Sequence, residues 1–352
     1  KSGERGIYNG MSAKKTVEQL NERYEDGDGN HVLRRDPRND FGTNPCSEII
    51  LRSREFCNLS EIVVRREDTR ESLKEKVRSA TILGTFQSTL TEFKYLSKEW
   101  KRNCDEERLL GVSLTGIMDN PITNGTRNGL KELLEELRDV AYETNKEWSD
   151  KLGIPTSAAI TCVKPSGTVS QLVDSASGIH ARHSPFYIRT VRADTKDPLC
   201  KLMQDMGFPN EADVTKPEHT TVFSFPMKTP KGAICRMDMT ALEQLELWKV
   251  YAESWCEHKP SVTISVKEDE WVEVAAWVYD HFDSISGISF LPFSEHVYRQ
   301  APYQDCTEEE YKEALKTMPK NVDWAELSKY ESQDYTIASQ ELACTAGGCE
   351  II

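Results

Sequence analysis

Apolar residues recur at three- and four-residue intervals from Arg70 to Leu152, a helical pattern. The repeat is clearest over Asn128–Leu152, where Leu130, Leu133, Leu134, Leu137, Val140 and Ala141 fall on one stripe. That spacing predicts a long amphipathic helix. A shorter helix is expected over Ala13–Glu25, ended by the turn chemistry of Asp26-Gly27-Asp28-Gly29-Asn30. Thr43 to Val64 reads as an extended loop running into a strand, with Ile49-Ile50-Leu51 and Ile62-Val63-Val64 as its apolar pieces. Beyond Gly153 the register changes. Strand-like runs at Ala158–Val163, Tyr187–Arg192, Thr220–Phe225, Ser261–Val266 and Ile285–Leu291 alternate with helical stretches at Asp197–Met206, Ala241–Glu257 and Glu268–Phe282. Such alternation predicts an α/β architecture with mostly parallel strands. One more helix, Glu308–Met318, precedes a polar, irregular tail, and no internal repeat is visible. The pattern divides the chain at 1–65, 66–153, 154–330 and 331–352.

Composition narrows the class. The 352 residues are 38% hydrophobic and 29% charged, as in globular proteins, and carry a net charge of −14. A field of that sign repels polyanions, so nonspecific nucleic-acid binding is not expected, although a local phosphate site remains open. No apolar run approaches the roughly 20 residues that span a bilayer, and no signal peptide is visible. Ten cysteines are too few for a disulfide scaffold, so reduced thiols in a cytoplasmic setting are the expectation. With no C-x-x-C and no H-x(3–5)-H pair, no metal site is expected. The first residue is Lys1 rather than Met, which suggests a processed, excised or truncated product.

Four cysteines stand in settings that suggest chemistry. In Asn44-Pro45-Cys46-Ser47-Glu48, alternate residues of an extended loop face one way, so Asn44, Cys46 and Glu48 can converge on one ligand. Glu48 can then serve as a base, Asn44 can orient a hydroxyl, and Cys46 can react. A buried structural cysteine after an Asx turn fits those five residues equally well. Cys57, eleven residues on, reads by itself as a core cysteine. Cys344 and Cys349 flank Thr-Ala-Gly-Gly near the C-terminus, a spacing suited to thiol exchange on a mobile end. Lys164-Pro165-Ser166-Gly167-Thr168 follows an expected strand and can open a helix whose N–H groups hold phosphate, though it is no Walker A loop. Ordinary hydroxyl capping of a strand-to-helix turn is the competing reading. His180 and His183 beside it suit either a cleft or plain structure. Core packing is the default for the other six cysteines, Cys104 and Cys162 among them.

Taken in order, these motifs resemble the catalytic chain of ribonucleotide reductases, and most of all the monomeric, adenosylcobalamin-dependent class II ribonucleoside-triphosphate reductases. Ser2-Gly3-Glu4, the Asn44–Glu48 segment, Leu109–Ile117, Pro165–Thr168, Ser177–His180, Pro260–Thr263, Gly287–Pro292 and the tail dithiol carry the resemblance over essentially the whole chain. It implies the second half of a ten-stranded α/β barrel with a central finger loop, plus a flexible C-terminal tail. Residues 1–65 would be the finger-loop region, 66–153 a helical segment, 154–330 the second half-barrel with a phosphate-binding turn, and 331–352 a mobile redox tail.

The same resemblance implies roles. Cys46 would carry the thiyl radical that takes the substrate's 3′ hydrogen, Glu48 would accept the 3′-hydroxyl proton, and Asn44 would hydrogen-bond the ribose. Cys57 would be half of the dithiol that reduces the 2′ carbon. Cys344 and Cys349 would recharge it and be reduced in turn by a thioredoxin-like donor. Pro165, Ser166, Gly167 and Thr168 would hold the phosphates of a ribonucleoside triphosphate. Adenosylcobalamin is the implied cofactor, because neither adjacent tyrosines nor a C-terminal glycyl-radical motif is present. The cobalamin motif Asp-x-His-x-x-Gly is absent too, as suits a cofactor that keeps its own axial base. In the family the partner of Cys57 lies upstream of this segment, so an N-terminal half of the same enzyme is an expected partner. A glycyl-radical barrel of another class and an inactive reductase fragment are the alternatives.

Overall fold

The structure is a computed structural model that describes residues 5–24, 32–125, 129–293 and 298–331. Among these the strands are β1 (Arg5–Tyr8), β2 (Phe41–Thr43), β3 (Ile50–Arg52), β4 (Asn58–Val63), β5 (Leu110–Thr115), β6 (Thr161–Cys162), β7 (Phe186–Asp194), β8 (Asn210–Ala212), β9 (Thr220–Lys228), β10 (Thr263–Val266), β11 (Gly287–Pro292) and β12 (Tyr303–Asp305). They divide between two compact units, Lys1–Ala181 with Gly232–Phe293, and Arg182–Lys231 with Ser294–Ile352.

The first unit holds Asn44, Cys46, Glu48, Cys57 and the Pro165–Thr168 turn. Strands β4, β5 and β6 run parallel, with Asn58 opposite Leu110 and Val112 opposite Thr161. A parallel bridge from Val163 to Pro260 carries the sheet toward β10, which pairs in parallel with β11. Strand β1 closes that end antiparallel to β11, with Arg5 opposite Phe290. Helices Arg70–Gln87, Leu130–Leu152, Ala241–Ser254 and Trp271–Asp280 share one hydrophobic core with the strands. Leu73, Val77, Leu134, Leu137, Trp248 and Tyr251 meet Leu110, Val112, Leu114 and Ile264 there. Thr69 and Thr240 begin two of these helices by accepting the N–H of Ser72 and Glu243, caps worth about 1 kcal/mol each. Gly153 ends the longest in the left-handed conformation, φ 65°.

The helical reading of Arg70–Leu152 requires one correction, because β5 runs through its middle. All six residues of β5 are buried. A parallel strand covered on both faces loses the polar alternation by which strands are recognised. Its two faces nonetheless differ. Leu110, Val112 and Leu114 enter the helix-facing core, whereas Gly111, Ser113 and Thr115 meet Cys57, Lys164 and Gly178.

The second unit is built on an antiparallel sheet ordered β12-β7-β9-β8. The expectation of mostly parallel strands therefore fails for Tyr187–Arg192 and Thr220–Phe225, which pair antiparallel as β7 and β9 with Phe186 opposite Lys228. The connection between them holds the helix Pro198–Asp205, which packs Cys200 against Phe208 and Phe223, and the short strand β8, which pairs antiparallel with β9. Among the described residues no helix is long and apolar enough to cross a membrane.

Candidate active site

The loop Asn44–Ile50 is tied down at almost every residue. The Ser47 N–H donates to the Asn44 carbonyl at 2.9 Å, and the Ile49 N–H donates to Asn44 Oδ1 at 3.1 Å. Ser47 sits at φ 70°, a left-handed conformation that costs a non-glycine residue roughly 1–2 kcal/mol. The turn it makes separates Cys46, half-buried, from Glu48, fully buried.

A second segment, 257–261, grips this loop. Ser261 Oγ donates to the Cys46 carbonyl at 2.6 Å, and the Lys259 N–H donates to the Glu48 carbonyl at 3.2 Å. Lys259 Nζ donates to Ser47 Oγ at 3.0 Å. The Ile50 N–H donates to His258 Nδ1 at 3.3 Å, while His258 Nε2 lies 2.9 Å from the Leu110 carbonyl. A backbone N–H can only donate, so Nδ1 accepts and Nε2 carries the proton. Burial, with Arg35 nearby, pulls this imidazole down to about 3, in agreement with the neutral tautomer. Burial also lowers the Lys259 ammonium to about 8, against the pull of the Glu48 carboxylate.

From the other side Arg35 holds the end of the loop. It is buried, donates to the Ile50 carbonyl at 2.7 Å, and pairs with Glu107 at 2.5 Å and Glu55 at 3.3 Å. Burial and the neighbouring Glu107 push the Glu55 carboxyl well above the carboxylate range.

Glu48 is the chemically exceptional group. Neither carboxylate oxygen has a hydrogen-bond partner among the described residues, and the nearest cation is Lys164 Nζ at 3.6 Å. A buried carboxylate so poorly satisfied is costly in a resting structure and suited to a substrate hydroxyl. Lys164 in turn begins the Pro165–Thr168 turn, and its N–H donates to Ser113 Oγ at 2.8 Å. Ser166 is left-handed at φ 57°, and its buried hydroxyl is turned toward the Glu61 carboxylate. Thr168 begins a helix of only four residues, Val169–Leu172, without a side-chain cap. The expected helix N-terminus is thus a single turn, and hydroxyl capping does not account for the motif. Gly178 lies against this turn at φ 55°, where a Cβ would collide with the Lys164 carbonyl.

Cys57 lies beside the same face of β5, its sulfur 3.2 Å from where a Cβ on Gly111 would stand. Burial first, then Glu48 and Glu55, raise its thiol well above the ordinary value. It is held as a protonated thiol. Cys46, Glu48, Asn44, Cys57 and the Pro165–Thr168 turn all fall within the first unit. His180 is structural, Nε2 accepting from the Thr263 N–H at 3.0 Å and Nδ1 lying 3.0 Å from the Ser177 carbonyl. His183 belongs to the second unit, 3.0 Å from Asp305. Cys344 and Cys349 lie outside the described residues.

Sequence reasoning missed His258, Lys259 and Arg35, and gave Lys164 no role of its own. The available signal was Glu257-His258-Lys259 at the mouth of a strand, three titratable residues where a loop would ordinarily be merely polar.

Comparison with solved structures defines the class. The chain superimposes on a B12-dependent, class II ribonucleotide reductase with a TM-score of 0.72 at 24% identity, over 83% of this chain and 44% of the other. The α subunit of the Actinobacillus ureae class Id ribonucleotide reductase gives a TM-score of 0.52 at 13% identity, over 82% and 58%. The fold is that of the ribonucleotide reductases.

Sequence comparison is more particular, although no family model matches the chain. An adenosylcobalamin-dependent ribonucleoside-triphosphate reductase of Euglena gracilis is 30% identical over 287 residues, 80% of this chain and 38% of that protein. The enzyme of the same name from Lactobacillus gasseri is 25% identical over 99% of this chain and 49% of its own length. A probable one from Dictyostelium discoideum is 28% identical over 90% and 41%. The chain is a homologue of the adenosylcobalamin-dependent ribonucleoside-triphosphate reductases. It spans about half the length, or less, of the curated relatives it matches.

Proposed function

We propose that this chain is the part of an adenosylcobalamin-dependent ribonucleoside-triphosphate reductase that carries the radical loop and the substrate's phosphate turn. In this reading β4, β5, β6, β10 and β11 are the second half of a ten-stranded barrel, and Asn44–Ile50 is its finger loop. One observation carries the reading: the buried Glu48 lies two residues from Cys46, has no hydrogen-bond partner for its carboxylate oxygens among the described residues, and faces the lysine that opens the Pro165–Thr168 turn.

The residues divide the work. Cys46, as a thiyl radical, takes the 3′ hydrogen of the ribose. Glu48 accepts the proton of the 3′ hydroxyl, and Asn44 Nδ2 donates to a ribose oxygen. Cys57, held as a thiol, gives its proton to the departing 2′ hydroxyl, which leaves as water. Cys57 and a cysteine of an upstream half supply two electrons and become a disulfide, the second thiol's proton going to the 2′ carbon. Cys46 then returns the hydrogen to the 3′ carbon and Glu48 returns the proton to the 3′ oxygen. Cys344 and Cys349 reduce the disulfide by exchange and are reduced by a thioredoxin-like donor. A loop anchored to segment 257–261 for the radical and a cysteine pair distant in sequence for the electrons would shield the first from water and let solvent-borne reductant reach the second.

The donor set fits the cofactor. Both nitrogens of His258 and of His180 are engaged with backbone groups, so neither offers an axial ligand, as suits a cobalamin that brings its own. Pro45 is exposed and Cys46 half-buried, so a bound cofactor would reach the thiol from solvent. When bound, adenosylcobalamin supplies the radical equivalent that removes the hydrogen of the Cys46 thiol.

The test is reconstitution of the chain with an upstream half and assay of cobalamin-dependent deoxynucleotide formation. Activity is expected only from the pair, and Cys46→Ala is expected to abolish it. Robust activity of this chain alone would refute the need for a second half. Turnover surviving in Cys46→Ala would refute the mechanism.

A further inference from the structure

We propose that Lys259 is a positioning residue of the radical loop: its buried ammonium holds Ser47 left-handed and so sets the directions of Cys46 and Glu48 on either side. Only the activity part of this inference rests on the function proposed above.

Lys259 is 2% exposed, and lysine is almost never fully buried unless it is paired. Its ammonium spends its hydrogen bond on a neutral hydroxyl, Ser47 Oγ at 3.0 Å, rather than on Glu48. The surroundings are shaped to keep it there. A Cβ on Gly287 would overlap the ammonium, so this position has to be glycine for the lysine to lie where it does. The ring of Tyr8 stands 5.5 Å away on another side.

The contacts from Ser261, His258 and the Lys259 backbone secure the chain at Cys46, Ile50 and Glu48. The hydroxyl of Ser47 is held by Lys259 and by Thr43, to which it donates at 3.3 Å. A non-glycine residue stays left-handed only where its surroundings over-determine it. Release of the hydroxyl lets Ser47 return to negative φ, and the two peptides flanking it turn with it. The side chains that turn are those of Cys46 and Glu48.

The experiment uses the full chain reconstituted with its upstream half, in four forms: Lys259→Met, Ser47→Ala, the double variant, and Gly287→Ala, which keeps the lysine but displaces its head. The first readout is the rate of iodoacetamide alkylation at Cys46, resolved by peptide mass spectrometry, which requires no turnover. Each single change is expected to alter that rate about tenfold, and the double change no more than either alone, the signature of two groups acting as one. The second readout is a fall in kcat of about tenfold with KM within about twofold, since the phosphate turn is untouched. Additive effects, or an unchanged Cys46 rate in folded Lys259→Met, overturn the proposal. Should Lys259→Met fail to fold, Ser47→Ala and Gly287→Ala are read in its place, and non-coupled or absent effects there overturn it equally. Coupled alkylation without any reductase activity would sink the functional reading and leave this one standing.

Discussion

Because Ile50 donates to Nδ1 and the Leu110 carbonyl takes the proton of Nε2, His258 cannot accept a second proton without giving up an anchor of the loop. Its folded value, about 3, lies below the ordinary 6.5, so between these pH values the unfolded chain binds a proton that the folded chain does not. Stability contributed by His258 is therefore present above pH 6.5 and lost as pH falls toward 3, at up to about 1.4 kcal/mol per pH unit. Glu55 works with the opposite sign, its stabilisation declining as pH rises from its ordinary value. Comparing wild type with His258→Gln isolates the histidine. Urea midpoints measured from pH 7 to pH 4 should fall less steeply in the variant, and parallel slopes would show that His258 does not titrate this way. At Glu48, the proposed base, Glu48→Gln keeps the shape and removes the carboxylate. In the reconstituted enzyme it is expected to lower kcat by about 10²–10⁴-fold with the fold intact.

At the scale of elements, what was legible depended on how many sides of a segment meet solvent. The helices over 130–152 and 241–254 were visible because each keeps a polar face outside. Strand β5 was hidden because it keeps none, even though Leu109–Ile117 was recognisable as a motif. The loop Asn44–Glu48 was legible by residue type, but its geometry was not. Ser47 is left-handed in a turn whose hydroxyl is met by Lys259, 212 residues along the chain, and nothing in Pro-Cys-Ser-Glu announces that contact. The turn after β6 offers a direct test. Gly178 is left-handed and presses on the Lys164 carbonyl, so Gly178→Ala must either move that peptide or abandon φ 55°. A loss of roughly 1–3 kcal/mol in unfolding free energy is expected. A weaker effect would mean that the turn yields easily.

At the scale of the whole molecule, the hydrophobic core of the first unit joins strands and helices drawn from both ends of that unit. Trp248, 1% exposed, stands in it and donates to the Pro260 carbonyl at 3.1 Å, just before the loop-gripping Ser261. Trp248→Ala is expected to cost about 3–5 kcal/mol in denaturant unfolding. It should also quicken alkylation of Cys46, because the missing ring frees Pro260. Unchanged thiol reactivity would show that the grip is independent of the core. The distance along the chain between loop and grip has a consequence for synthesis. Ser47 and Lys259 are 212 residues apart, and Cys46 and Ser261 are 215. At roughly 5–20 residues per second, a ribosome exposes the cysteine loop on the order of 10–40 seconds before it makes the segment that arrests it. For that interval the nascent chain bears the Cys46 thiol without the segment that anchors its loop. A chain cut short before residue 258 would never acquire that anchor.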